Sequence, residues 1–116
     1  MTSYEQGDVV LVRFVFADET GTKRCPAVIA STSDYHQGRQ EAIMAAITSN
    51  VDRLLVGDHL IAGWQEAGLL FPSVATGIIR TIKQAMIERR LGVMPPADMQ
   101  AIKNNLRQVL GLCQGI

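Results

Sequence analysis

Short apolar runs alternate with polar loops along most of this chain, and this alternation restricts the fold more than any other feature of the sequence. Gly7-Asp8 introduces a run of β-branched and aromatic residues, Val9 to Phe16, which is typical of a strand buried on at least one face. The polar residues from Ala17 to Arg24 are typical of a loop, and Pro26 to Ala30 form a second apolar run. A short loop between two such runs predicts an antiparallel pair of strands.

The same pattern continues through the middle of the chain. A second polar loop, Ser31 to Gln40, leads to a third apolar run, Ala42 to Thr48. Ala and Met favour helix, but the length of this run and the loops on either side favour a strand. Gly57-Asp58 then predicts a turn before the short apolar stretch His59 to Ile61.

Glycines punctuate the next part of the sequence. Ala62 to Gly68 predicts a short helical turn closed by its last glycine. Leu69 to Val74 and Ile78 to Ile82 are two β-like runs, and Gly77 between them indicates a bend or bulge. The pattern of Gln84 to Leu91 is compatible with either helix or strand.

The clearest periodic signal lies near the C-terminus. Pro95-Pro96 stops the preceding element and places Pro96 in the first turn of a new helix, which Gly111 ends. Apolar residues recur at three- and four-residue spacing on one face of this helix: Met99, Ile102, Leu106, Val109 and Leu110. The whole pattern predicts one domain, residues 1–116, with a mostly β (α+β) fold: a small barrel covered by a C-terminal amphipathic helix.

Composition and charge restrict the function without choosing it. Lys plus Arg and Asp plus Glu number 11 each, so any RNA-binding site must arise from local placement of charge. The N-terminus has no signal-peptide pattern and no apolar run is long enough to span a bilayer, so we expect a cytoplasmic protein. Cys25 and Cys113 are far apart and His59 has no partner at ligand spacing, so we expect neither a metal site nor a cofactor.

Several ordered motifs resemble the MazF/PemK family of type II toxin–antitoxin toxins. They occur in family order and cover most of the chain: Gly7–Val12, Phe14-x-Phe16-x-Asp18, Thr22–Val28, Ala46–Asn50, Trp64-x-x-Ala67-Gly68-Leu69, Pro72–Val74, Arg90–Gly92 and the closing helix. Each motif alone is weak, but the ordered set is fairly specific. The resemblance implies an SH3-like barrel of the MazF/PemK/CcdB type that forms a homodimer. It also implies metal-independent cleavage of single-stranded mRNA at short sequences and inhibition by a small antitoxin protein.

The resemblance also nominates site residues. The family's hydroxyl residue on the third strand corresponds to Thr48, with Ser49 beside it. We predict Arg24 and Thr48 as catalytic residues, because an arginine and a hydroxyl together stabilise the negative charge of a phosphorane-like transition state. Lys23, Ser49 and Arg80 are predicted to contact RNA.

The chain departs from the family at two arginine positions. Cys25 stands where the family usually has the arginine that precedes the proline of the second strand, and Thr76 stands where a second arginine usually follows the Pro-Ser-Val motif. Neighbouring residues of a strand point to opposite faces, so Arg24 replaces an arginine at position 25 only where the backbone bulges or is still a loop.

These departures leave two further hypotheses open. The chain can be a toxin-fold binding module with weakened nuclease activity, which dimerises and binds an antitoxin-like peptide or RNA. Alternatively, it can poison DNA gyrase, as the related CcdB toxins do, although no residue specifically indicates this.

Overall fold

The computed structural model describes residues 3–15 and 21–112, which form one sheet and its covering helix. In chain order the elements are β1 (Asp8–Val15), β2 (Thr22–Ile29), α1 (Ser33–His36), β3 (Glu41–Thr48), β4 (His59–Leu60), β5 (Val74–Lys83), a 3₁₀ turn (Gln84–Met86), β6 (Ile87–Val93) and α2 (Pro96–Leu110). Phe16 and Asp18 of the first motif lie outside the described residues, as does Cys113.

The sheet has the strand order β4-β5-β3-β2-β1-β6, and every neighbouring pair is antiparallel. The predicted pairing of the first two strands is confirmed, with Val9 opposite Val28 and Val12 opposite Cys25. The expected mostly β fold with a C-terminal helix is confirmed as well. β4 and β6 are the two edges, so the barrel is open rather than closed by hydrogen bonds between its first and last strands.

A very short connection forces this sheet to roll. Only the three residues Gln84–Met86 join β5 to β6, although β3, β2 and β1 lie between these two strands in the sheet. Four strand spacings in a flat sheet measure about 19 Å. The connection spans at most about 14 Å even when fully extended. The sheet therefore curls until the end of β5 approaches the start of β6.

Both faces of the central strands are buried because of this curl. Val9, Val28 and Ala45 belong to one apolar cluster, which α2 covers through the buried Ile102. Their immediate neighbours in sequence belong to a second cluster on the opposite face, inside the curl: Val10, Ala27 and Met44, together with Ile82 and Ile87. This arrangement explains why Val9–Val12 of β1 are continuously apolar instead of alternating with polar residues.

Three segments differ from the expectation. β2 begins at Thr22, so the prediction that Ala17 to Arg24 is entirely loop is wrong at its C-terminal end. The first three residues of β2 are polar because this end of the strand is exposed. The predicted loop Ser31 to Gln40 contains the single-turn helix α1. The separate strands expected at Leu69 to Val74 and Ile78 to Ile82 are instead one strand, β5, preceded by irregular chain.

The other expectations for this region are confirmed. Opposite Ala46, the register between β3 and β5 shifts around Gly77, as expected for a bulge. The ambiguous segment Gln84 to Leu91 forms the 3₁₀ turn and the start of β6. Helix α2 begins at Pro96 and ends before Gly111, whose φ of 68° is the left-handed conformation that glycine adopts readily.

Asp98 in the first turn of α2 ties the helix to the sheet edge and to the turn that follows it. Its carboxylate accepts hydrogen bonds from the backbone N–H groups of Ala62 and Gly63, both at 2.9 Å, and from Nε2 of His59 at 2.7 Å. Burial alone would raise the pKa of Asp98, but the hydrogen bonds from His59, Ala62 and Gly63 together hold this pKa below its ordinary value.

Replacing Asp98 is therefore expected to destabilise the protein in a pH-dependent way. Asp98→Ala leaves the half-buried N–H of Ala62, the buried N–H of Gly63 and His59 without this acceptor, which lowers the free energy of unfolding by about 3 kcal/mol at neutral pH. Because the folded pKa is lowered, the stabilisation is present above the unfolded pKa and disappears as the pH falls through the folded pKa. Urea unfolding followed by circular dichroism between pH 7 and pH 3 measures both effects.

The matched control for this experiment is Asp34→Ala, since Asp34 is an exposed acid of α1. The gap in stability between wild type and Asp98→Ala narrows towards low pH, while the gap for Asp34→Ala stays small. A gap for Asp98→Ala that is constant with pH contradicts the proposed hydrogen-bonded carboxylate.

The sheet edge and the turn before β5 touch at two glycines. A Cβ atom added to Gly92 would lie 2.5 Å from the carbonyl oxygen of Ala67, so β6 approaches the Ala62–Gly68 turn more closely than any side chain allows. Gly68 lies against the same stretch of β6. This contact fixes the chain that follows Gly68 beside β6.

We expect Gly92→Ala to lower the free energy of unfolding by about 1–3 kcal/mol, because backbone must move to admit the methyl group. Gly77→Ala is the control, since a Cβ atom there would meet its nearest neighbour at 3.4 Å. Chemical denaturation of both variants measures the difference. Equal midpoints would show that the contact between β6 and the turn is not tight.

Candidate active-site groove

A groove of about 690 Å³ runs across the start of β2 and the end of β3, between β6 and the chain that follows Gly68. We call it the basic groove. It is lined by Leu11, Lys23, Arg24, Cys25, Pro26, Ile47, Thr48, Ser49, Gly68, Leu69, Leu70, Phe71, Ser73, Arg89 and Leu91. Four of the five predicted site residues, Lys23, Arg24, Thr48 and Ser49, therefore lie in one groove.

The charge of this groove differs sharply from that of the whole chain. Lys23, Arg24 and Arg89 line it, and none of its described lining residues is acidic. The chain as a whole has no net charge at neutral pH. Local placement of charge, which the composition required of any RNA site, is thus present here.

Thr48 occupies the last position of β3, where the strand leaves the sheet. Its side chain is half-buried, and Oγ1 accepts a hydrogen bond of 3.2 Å from the backbone N–H of Asn50. The hydroxyl proton remains available to a ligand in the groove. Ser49 beside it is exposed, and Thr48 also lines a second groove, described below.

Arg24 lies at the groove with its guanidinium held by an acidic neighbour. Its Nε donates to both carboxylate oxygens of Glu88 on β6, at 2.8 and 3.0 Å. The side chains are 51% and 33% exposed, so this ion pair contributes at most about 1 kcal/mol. A phosphate group can therefore compete with Glu88 for Arg24 at low energetic cost.

The strand register places Cys25, not Arg24, towards Thr48. β1 and β2 pair without a bulge from Val9 to Val15, so Arg24 and Cys25 point to opposite faces. The pairing of β2 with β3 ends at Ala27 opposite Ala46. Its continuation by two residues would set Cys25 opposite Thr48, so an arginine at position 25 would face the hydroxyl directly.

Arg80 and Thr76, the two other positions that the family resemblance brought into the argument, lie outside the basic groove. Arg80 does not line the basic groove, because its guanidinium stacks over the ring of Phe14 at 4.6 Å. The hydroxyl of Thr76 is buried in the β5 bulge, where it donates to the carbonyl oxygen of Ala46 at 2.8 Å and accepts from the N–H of Ile78 at 3.2 Å. The role of Arg80 in RNA binding stays a prediction.

Arg89 is the groove residue that sequence reasoning did not select. It shares a run with Arg90, and strand alternation separates the two: Arg90 binds the buried carboxylate of Asp8 at 2.8 Å, whereas Arg89 faces the groove. An unambiguous assignment of Gln84 to Leu91 as strand would have separated them. Leu70 and Phe71, also missed, follow the glycine turn and carried no periodic signal.

Both histidines have structural partners. Nε2 of His36 lies 2.6 Å from the hydroxyl of Ser31, and its Nδ1 lies 2.9 Å from the carbonyl oxygen of Tyr4, while His59 binds Asp98. Within residues 3–15 and 21–112, no three His, Cys, Asp or Glu side chains are grouped as a metal site would require. No helix in that part of the chain is long and apolar enough to cross a membrane.

Several solved structures share this architecture. An endoribonuclease from Mycobacterial species has a TM-score of 0.78 at 19% identity, covering 99% of this chain and 98% of its own. A MazE–MazF structure (Form-II) from Deinococcus radiodurans has a TM-score of 0.81 at 16% identity, covering 97% and 100%. Toxin MazF-mt6 of Mycobacterium tuberculosis has a TM-score of 0.72 at 20% identity, covering 91% and 98%. At these identities the likeness establishes the fold.

A comparison with curated proteins finds no match. The family model described as "PemK-like, MazF-like toxin of type II toxin-antitoxin system" matches residues 5–110, which confirms the resemblance inferred from the motifs. Because this match spans nearly the whole described structure, the chain belongs to the PemK-like, MazF-like family of toxins of type II toxin–antitoxin systems.

Proposed function

We propose that this chain is a cytoplasmic, single-domain endoribonuclease toxin that cleaves single-stranded mRNA at short sequences in the basic groove, without a metal or cofactor. The observation that carries the proposal is the groove itself: its described lining residues include three cations and the Thr48 hydroxyl but no acid, in a chain of zero net charge. Two of the similar solved structures are named endoribonucleases, which supports the same activity here.

The reaction uses the RNA's own 2′-hydroxyl as nucleophile. The 2′-oxygen forms a bond to the adjacent phosphorus and the bond from phosphorus to the 5′-oxygen breaks, which leaves a 2′,3′-cyclic phosphate and a 5′-hydroxyl. Thr48 donates a hydrogen bond to a non-bridging oxygen, while Arg24, on the opposite face of β2 but lining the same groove, adds positive charge along the RNA backbone. The lining residues that the structure describes include no histidine or carboxylate, so we assign the transfer of the proton from the 2′-oxygen and to the 5′-oxygen to water.

Two protein partners complete this proposal. Similar structures include a MazE–MazF pair and an endoribonuclease with its cognate antitoxin, and a small antitoxin with an acidic apolar segment would suit the cations and exposed leucine of the basic groove. A second copy of this chain would cover a separate groove of about 570 Å³. Its apolar lining includes the exposed side chains of Val56, Ile78 and Val109.

The alternative is a toxin-fold binding module with weak nuclease activity. This alternative is favoured by Cys25, which stands where an arginine would face Thr48. The ion pair of Arg24 with Glu88 also favours it. Nothing in the basic groove favours a gyrase poison, and a DNA supercoiling assay tests that third hypothesis directly.

We expect Thr48→Val to reduce RNA cleavage by about 10²-fold, because valine keeps the shape of threonine and removes one donor to the transition state. Cleavage of a fluorescent single-stranded RNA by purified protein measures the rate, and mapping of transcript ends after induction in cells measures it in vivo. Thr81→Val is the control, since Thr81 is an exposed threonine of β5 outside the groove. Intact RNA and unchanged growth with soluble wild-type protein contradict the nuclease proposal.

Cys25→Arg is expected to increase cleavage by about 10- to 100-fold, because it places a guanidinium opposite Thr48. Cys25→Ala controls for the loss of the thiol and should leave the rate unchanged. The same RNA assay compares the two variants. If Cys25→Arg folds normally and cleaves no faster than Cys25→Ala, the missing arginine does not limit activity.

A further inference from the structure

The rim of the basic groove carries two large apolar side chains that the proposed reaction does not use. Leu70 is 83% exposed and Phe71 is 64% exposed, although both line a groove whose charged residues are all basic. Adjacent exposed apolar side chains at the rim of a polar groove are typical of a binding surface. Phe71 therefore presents a flat apolar face to a ligand in the groove.

The backbone around Phe71 is held firmly in place. Leu69 before it is buried in the core, and its N–H donates to the carbonyl oxygen of Trp64 at 3.0 Å. Ser73 after it is buried as well, and its hydroxyl donates to the carbonyl oxygen of Phe71 at 2.7 Å. The ring is thus presented by a segment anchored on both sides, and little conformational entropy is lost when a ligand binds it.

Arg89 stands on the facing wall of the same groove. Gly68 lies against Leu91 of β6, which brings the chain leading to Phe71 beside the strand that carries Arg89. The flanking charges are already engaged, since Glu88 binds Arg24 and Arg90 binds Asp8. Among the described residues, no carboxylate lies within ion-pair distance of Arg89, so its guanidinium is available to an anion.

We infer that Phe71 and Arg89 form a nucleotide-binding subsite for the RNA of the proposed reaction: one base stacks on Phe71 and the phosphate beside it binds Arg89. The inference rests on the proposed function and adds to it the residues that position the strand. A flat aromatic face across a groove from an unengaged guanidinium is the chemistry of single-strand binding, and it accepts any base because every base has a π face. Arg89 also supplies phosphate affinity that Cys25 cannot provide.

The test measures binding separately from cleavage. A fluorescent 2′-deoxy oligonucleotide of about ten nucleotides, long enough for a single-strand groove, carries no 2′-hydroxyl and is not cleaved. Its affinity is measured by fluorescence anisotropy at several salt concentrations for the wild type, Phe71→Leu, Phe71→Trp and Arg89→Gln. Arg13→Gln is the matched control, because Arg13 is an exposed arginine of β1 that does not line the groove.

The two side chains should leave different signatures. Phe71→Leu weakens binding by about 10-fold with an unchanged salt dependence, since it removes the stacking face but keeps an apolar side chain, and Phe71→Trp restores the affinity. Arg89→Gln reduces the slope of log affinity against log salt by about 0.7, the value for one phosphate contact on a single strand. Arg13→Gln leaves the slope close to that of the wild type.

Two results overturn the inference: Phe71→Leu binds like the wild type, or Arg89→Gln has the salt slope of Arg13→Gln. The inference is also overturned if these variants lose binding to a synthetic acidic peptide but bind the oligonucleotide like the wild type. That result assigns the rim to a protein partner. Cleavage of RNA by the wild type is measured in parallel. A protein that shows the predicted binding pattern but cleaves no RNA contradicts the proposed nuclease function and leaves the subsite supported.

Discussion

The connection between β5 and β6 has only three residues, and the form of the whole sheet depends on it. Because β3, β2 and β1 separate the two connected strands, the sheet rolls instead of lying flat. The roll encloses one apolar cluster and leaves the opposite face for α2 to cover. It also brings β6 beside the turn that ends at Gly68, and the basic groove opens along that contact.

Local signals predicted the elements whose boundaries depend on single residues. Pro96 and Gly111 define α2 because one has a fixed φ and the other adopts a positive φ, and both properties belong to the residue itself. The start of β2 was missed because Lys23 and Arg24 look like loop residues, whereas pairing with Phe14 and Arg13 keeps them in the sheet. The length of β5 depends on partners distant in sequence, which no local pattern contains.

The candidate site was predictable to a similar extent. The family resemblance selected Thr48, and strand alternation correctly separated Arg24 from Cys25. Arg89 and Phe71 were not selected, since their position at the groove depends on the roll of the sheet and on two glycines in close contact. Arg80 is basic and near the right motif, yet its strand position turns it onto Phe14. Which face of a strand a residue occupies therefore indicates its place at the groove better than its charge does.

Thr48 lines two grooves, the basic groove and the apolar groove of about 570 Å³. In the proposed assembly, a second copy that fills the apolar groove and an RNA that fills the basic groove would both adjoin this one hydroxyl. Any coupling between these two binding events is reciprocal by thermodynamic necessity: whatever change assembly at the apolar groove makes to the affinity for RNA, RNA makes in equal measure to assembly. The end of β3 is thus the place where the two proposed binding surfaces, one for RNA and one for a second copy, meet.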